Sequence, residues 1–218
     1  MAAPTRLSIY NQALRICGER ALASLSENRE PRRLLDQVWS DESGVDKCLE
    51  AGQWNFAMRS VRVDHDPSVD PQFGLQFGFS KPTDWIRTSA FTSDERFQVP
   101  YRNYRDEVSY WYADIDPVYV RYVSNDPAFG GDMSKWTASF SDFVPAYFAS
   151  EIIFKITADK ERVLMVEKAL KKRKLEALNK DAMNEGTQIP YAGSWVRSRF
   201  GRGSPGENDG GNRGSLIG

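Results

Sequence analysis

Cys48-Leu49-Glu50-Ala51-Gly52-Gln53-Trp54-Asn55-Phe56-Ala57 is the stretch at which a helical pattern gives way to an extended one. Upstream, Leu34, Leu35, Val38, Trp39, Val45, Cys48 and Leu49 recur at spacings of three, four and seven. That periodicity is one apolar face of a helix. Gly52 is expected to stop the helix, because glycine tolerates the left-handed conformation that closes a last turn. Trp54 and Phe56 then alternate with polar neighbours, which predicts the start of a strand. Two large aromatics at such a junction suit a core hinge that locks two substructures together.

Outward from this junction the chain falls into four parts. Residues 1–57 read as N-terminal helices. The first runs from Leu7 to Glu19, with Ile9, Ala13, Ile16 and Cys17 as its buried stripe and Gly18 near its end. The second runs from Arg29 or Glu30 to about Ala51. Pro31 suits its first turn, Ser26 or Asn28 can cap it, and Ser43-Gly44 is its weak point. Residues 58–124 read as an inserted β-rich region. Strands are expected at 59–63, from Trp85, and at 96–101, 107–112 and 118–123, because aromatic and β-branched residues concentrate there. Pro67, Pro71, Gly74 and Gly78 punctuate the stretch between the first two.

Residues 125–186 return to helix. Trp136, Phe140, Phe143, Val144, Tyr147, Phe148, Ile152 and Ile153 make a heavily apolar helix. Pro145 sits inside it and predicts either a kink or a start near Ser141-Asp142. A long polar helix follows from about Asp159 to Glu185, with Val163, Val166, Leu170, Lys174 and Ala177 on one face. Lys168, Lys171, Lys172, Arg173 and Lys174 make it basic; they form either a solvated face or a docking surface for other subunits. Residues 187–218 are rich in Gly, Ser, Asn and Pro from Gly201 onward and are not expected to fold alone. Ahead of that run, Tyr191, Trp195 and Phe200 interleave with Arg197 and Arg199, as in a segment that orders on a partner. The fold class expected is α+β: mainly an α-helical bundle, an inserted small antiparallel β-sheet region, and an extended C-terminal arm.

Composition bounds the function. The chain has 218 residues, 40% of them hydrophobic, and a formal net charge of -1. That size supports one or two packed domains. That charge gives no steering toward nucleic acid or an anionic membrane. Met1 to Arg6 leads into an amphipathic helix, not the apolar run of a signal peptide, and no window approaches the ~20 apolar residues of a membrane span. Cys17 and Cys48 both fall on apolar helix faces, as buried thiols do. No catalytic, cofactor or metal residue is expected. The lone histidine, His65, lies between Asp64 and Asp66 with no motif around it. There is no phosphate-binding loop and no paired-Cys or His-rich zinc pattern; Gly130-Gly131 reads as a turn. Asp94, Glu95, Asp106, Glu107, Asp114 and Asp116 could supply the two carboxylates of a glycosidase, with Trp111 and Tyr112 stacking on sugar rings. The basic run at Lys171–Lys174 could touch DNA phosphates, but no DNA-reading motif accompanies it.

Three places resemble the head-to-tail adaptor family of short-tailed bacteriophages, often called tail tubular protein A. The first is the opening helix, Leu7 to Glu19, followed by Ala23-Ser24-Leu25-Ser26-Glu27. The second is Arg32-Arg33-Leu34-Leu35-Asp36-Gln37-Val38-Trp39, then Cys48-Leu49-Glu50 and Trp54-Asn55-Phe56-Ala57. The third is Pro82-Thr83-Asp84-Trp85, then Val120-Arg121-Tyr122-Val123, then Trp136 and Phe140. The resemblance implies a structural, non-enzymatic virion protein. Such proteins form a homo-oligomeric ring, usually of about twelve copies, between the portal protein and the tail tube or nozzle protein, and extend the channel for genomic DNA. It places the chain at the head–tail junction, after synthesis in the host cytoplasm. By position and composition, Tyr191, Trp195, Arg197, Arg199 and Phe200 become the expected portal-binding residues, and Lys168, Lys171, Lys172 and Arg173 the expected subunit interface. A cell-wall or capsule glycan hydrolase is the alternative expectation, and a DNA-binding accessory protein a third.

Overall fold

The computed structural model of the protein describes residues 3–71, 74–157 and 159–184. The expected arm at 187–218 lies outside the described residues. The fold is α+β. In chain order the elements are α1 (Arg6–Cys17), α2 (Glu30–Asp36), a π-helical turn (Gln37–Asp41), α3 (Gly44–Glu50), a 3-10 turn (Asn55–Ala57), β1 (Met58–Val63), β2 (Phe77–Ser80), β3 (Trp85–Thr92), β4 (Arg105–Asp106), β5 (Tyr110–Ala113), β6 (Val118–Ser124), a second 3-10 turn (Met133–Lys135), α4 (Ala138–Ile156) and α5 (Lys160–Asn184).

The helices close over one core. Ile9, Tyr10, Ala13 and Leu14 of α1 meet Phe140, Phe143, Val144, Phe148 and Ile152 of α4, with Val163, Val166 and Ala177 of α5 against them. Thr5 and Ser8 form a reciprocal capping box at the start of α1, and Gly18 ends it at φ 75°. Asp36 binds α2 to α1. It accepts from Arg6 at 2.7 Å and from Tyr10 at 2.9 Å, and it pairs with Arg32.

Among the described residues the strands form two three-stranded antiparallel sheets, ordered β1-β6-β3 and β2-β5-β4. They share a second core of Phe79, Phe91, Trp111, Ala113, Val118, Val120 and Tyr122. β6 explains the layering. Val118, Val120 and Tyr122 point to that core, whereas Val123 joins the helical core, with Met58 and Ile86 beside it. Alternate strand residues face opposite sides of a sheet. The β1-β6-β3 sheet is therefore a middle layer, helices on one face and the second sheet on the other.

Several expectations are corrected. The second helix is not continuous: it breaks into α2, the π-helical turn and α3, and its N-cap is Arg29, without a side-chain cap from Ser26 or Asn28. Gly52 has no positive φ. Its requirement is space, since a Cβ there would lie 2.7 Å from Leu178 and 2.9 Å from Trp54. Trp54 caps a 3-10 turn and Phe56 lies within it, rather than the two opening a strand, which starts at Met58. Residues 96–101 hold one bridge, Thr92 to Pro100, and Phe97 turns at φ 55°. β2 takes part in a second sheet that the spacing did not predict. Within α5, Lys174 is exposed and is not part of the buried face. Pro145 neither ends α4 nor delays its start, which Thr137 caps. A proline inside a helix removes the hydrogen bond to the carbonyl four residues back and loosens the preceding turn. Nearby, Arg173 of α5 donates to the Asp142 carbonyl at 3.2 Å.

Candidate functional site

The junction stretch is a structural joint. The Trp54 indole is fully buried and donates to the Cys48 carbonyl at 3.0 Å, which anchors it to α3. Its ring meets Phe140 at 4.8 Å and Phe143 at 6.0 Å on α4. Asn55 then reaches α5. Its backbone N–H donates to the Asp181 carboxylate at 3.0 Å and its side chain to the Asp181 carbonyl at 2.8 Å. Three helices and the entry to β1 thus meet within two residues.

Lys81-Pro82-Thr83-Asp84-Trp85 is a second joint. The Lys81 side chain is 4% exposed; its ammonium lies 3.5 Å from the Trp85 ring centre and pairs with Asp106. The Thr88 hydroxyl accepts from the Trp85 and Trp111 indoles, each at 3.0 Å, and donates to Asp106 at 2.7 Å. Asp84 gathers Arg59 at 2.9 Å, the Tyr122 hydroxyl at 3.1 Å and the Ser124 hydroxyl. Burial pushes the Asp84 carboxyl up, but hydrogen bonds from Ser124, Arg59 and Tyr122 outweigh it and hold it below its ordinary value.

Of the expected interface residues, Lys168, Lys171 and Lys172 lie on the exposed side of α5, and Arg173 turns inward to Asp142. The same side carries apolar residues that the sequence reading passed over. Leu164, Met165, Leu175 and Met183 are between 54% and 83% exposed. At 100° per residue, Leu164, Lys168, Lys171 and Leu175 span an arc of about 60°, and Met165, Lys172 and Met183 widen it to about 120°. The signal was available: these apolar residues fall outside the stripe of Val163, Val166, Leu170 and Ala177. Lys168 and Lys171 form no ion pair among the described residues, and Lys172 reaches Glu176 at 4.0 Å. Large apolar side chains gathered with unpaired cations on one helix face suit contact with another protein. Tyr191, Trp195, Arg197, Arg199 and Phe200 lie outside the described residues.

A concave feature lies at the start of α3. Trp39, Ser40, Ser43, Asp46 and Trp136 help to line a cavity of about 340 Å³. The π-helical turn inserts an extra residue just before it, and Ser43 sits at φ 50°. Trp39 is held by Phe148, with ring centres 5.7 Å apart, and by the Arg6 guanidinium at 5.1 Å. The Trp136 indole donates to the Gly130 carbonyl at 2.8 Å. Asp46 accepts from Asn125 at 3.4 Å. Neither Asp46 nor the exposed Asp41 pairs with a cation among the described residues. Another cavity, of about 350 Å³, lies where α5 approaches the middle sheet; Asn55, Ser89, Arg121 and Asn179 make it polar.

Of the carboxylates considered for glycoside chemistry, Asp106, Asp114 and Asp116 are held in local structure. Asp106 serves Lys81 and Thr88. Asp116 meets the His65 ring at 2.7 Å. Asp114 accepts from Asn103 at 3.0 Å and from the Gln76 backbone at 3.2 Å. Trp111 is fully buried and so offers no sugar platform. Side-chain hydrogen bonds hold the carboxyls of Asp66 and Asp132 below their ordinary values, from Ser68 and Ser134 foremost. Among the described residues no cluster of His, Cys, Asp and Glu suits a metal ion, and no helix is long and apolar enough to cross a membrane. No protein-family model matches the chain, and no curated protein matches it.

Proposed function

We propose that the chain is a structural connector of a bacteriophage virion, assembled as a homo-oligomeric ring between the portal protein and the tail tube or nozzle protein. The outward face of α5 carries this reading. Four large apolar side chains and three lysines on one side of a 25-residue helix offer a lateral surface that neighbouring copies can cover. The helices act as a bundle, with the β-rich layers projecting from it. Residues 187–218 act as an arm that binds the portal, with Tyr191, Trp195, Arg197, Arg199 and Phe200 as its anchors. The residues resembling the adaptor family supply the identity of the partners. Genomic DNA passes through the channel without sequence-specific binding, which the net charge of -1 favours.

Particle mass in solution, with and without the cognate portal ring, tests the reading. The expected result is a monomer alone that adds about twelve copies per portal ring, the number the family resemblance implies. A chain that stays monomeric beside the portal ring overturns it. Deletion of 186–218 is expected to abolish docking while far-UV circular dichroism keeps its helical signal. Normal docking of the truncated chain would remove the anchor assignment alone.

A further inference from the structure

We infer that the cavity beside Trp39 and Trp136 receives the outward face of α5 from a second copy of this chain, with Lys171 directed at Asp46. The inference rests on the ring reading and names the surface that faces α5 within the ring.

Charge complementarity chooses the occupant. Asp46 lines the cavity and pairs with no cation among the described residues. The α5 side carries Lys168 and Lys171, which pair with no anion there. Apolar matching follows the same division. A lysine stem buries its methylenes along apolar surface while its ammonium seeks a charge or a ring face. The walls of Trp39 and Trp136 supply the surface, and Asp46 supplies the charge. Leu164 and Leu175, within one narrow arc of Lys171, cover the rim.

The two patches lie on different elements. α4 packs against α5 and also against α1, α2 and α3, and α5 turns its apolar-basic face away from that packing. A contact between two unlike patches is heterologous, so each copy keeps one patch of each kind free for the next. Such contacts close into a ring when the rotation permits. A contact of α5 with α5 would instead stop at a dimer.

The test uses the full chain, alone at high concentration and on the cognate portal ring. Reversal of either charge, D46K or K171D, is expected to raise the concentration for half-assembly about tenfold, and the double variant D46K/K171D to restore it. Both singles must keep the native circular dichroism spectrum. Failure of the double variant to recover overturns the pairing. In a folding-independent arm, a chain carrying D46C and K171C is oxidised. A ladder of covalent multimers is the expected result, with neither single variant giving more than dimers. Efficient cross-linking by K171C alone would mean that α5 meets α5, and overturns the inference. Multi-copy particles without a ladder would overturn this contact and leave the ring standing. An absence of multi-copy particles, with or without portal, would overturn the ring reading and this contact with it.

Discussion

Trp54 combines the two ways a residue can hold this fold, by volume and by a hydrogen bond. Truncating a buried tryptophan costs about 3–5 kcal/mol, so Trp54→Ala is expected to lose that much in urea unfolding. Trp54→Phe keeps most of the volume but strips the donor from the Cys48 carbonyl, and an unsatisfied buried acceptor costs about 1–3 kcal/mol. Equal losses for the two variants would show that volume alone matters at this joint. Asp84 makes a different demand. Its carboxyl is held below the ordinary value despite burial, chiefly through Ser124, Arg59 and Tyr122. A depressed folded value means that the group contributes stability above the unfolded value, near pH 4, and loses it as pH falls through the folded value. Asp84→Ala, which takes the acceptor from the buried Tyr122 and Ser124 hydroxyls, is expected to cost about 1–3 kcal/mol at pH 7 and to flatten the acid limb below pH 4. An unchanged acid limb would place the sensitive carboxylate elsewhere. The thiols carry the opposite sign. Burial pushes Cys17 up to about 12, with a smaller push from Glu19, and pushes Cys48 higher still. Both stay protonated in the folded chain well above the pH at which unfolded thiols ionise, near 8.5. Stability is therefore lost as pH rises above that point, and a thiol reagent at pH 8 should label neither cysteine before urea unfolds the chain. Rapid labelling of the native protein would contradict their burial.

Among the elements, Gly52 shows how a correct stop can have the wrong cause. The helix does end beside it, yet the left-handed cap belongs to Gly18, and Gly52 instead lets α5 and Trp54 approach. Gly52→Ala would place a methyl group against Leu178 and the Trp54 ring. Overpacking of this kind costs about 1–3 kcal/mol. Hydrogen exchange should then quicken in the last turns of α5 and leave β5 unchanged; uniform quickening would mean that the joint is not local. Elements with a strong repeating pattern were legible in the sequence: α1, α5, β1 and β6 begin and end within a few residues of expectation. Local chemistry set them, through Thr5, the apolar stripe of α5, and the alternation of Val118, Val120 and Tyr122. What stayed hidden depended on distant partners. β2 is four residues with a glycine inside, and Gly78 is there because Val69 comes within 2.6 Å of where a Cβ would stand. The π-helical turn lies between α2 and α3, both of which pack on α4, and no local signal marks it. The lysines of α5 were visible as a basic run, whereas the cavity at the start of α3 draws on Trp39, Asp46 and Trp136, three segments that only the fold brings together.

At the scale of the whole molecule, the three layers account for most of the apolar residues, and α5 carries four of the large apolar side chains they leave exposed, all on one side. The buried stripe of α5 already satisfies its packing against α4, so the outer apolar residues do nothing for the isolated subunit. Their substitution separates folding from assembly. Leu164→Gln, Met165→Gln, Leu175→Gln and Met183→Gln together keep helix-forming residues at every position. Exposed substitutions usually change stability by no more than about 0.5 kcal/mol each, so thermal unfolding should stay close to that of the parent chain. A protein interface is far less tolerant, because removing its apolar centre removes the surface that excludes water around the charges. The fourfold variant is therefore expected to remain monomeric at concentrations where the parent assembles on the portal ring. Assembly of the variant at the parent's concentration would free α5 from any lateral role. A large fall in its unfolding temperature would instead mean that this face packs within the subunit.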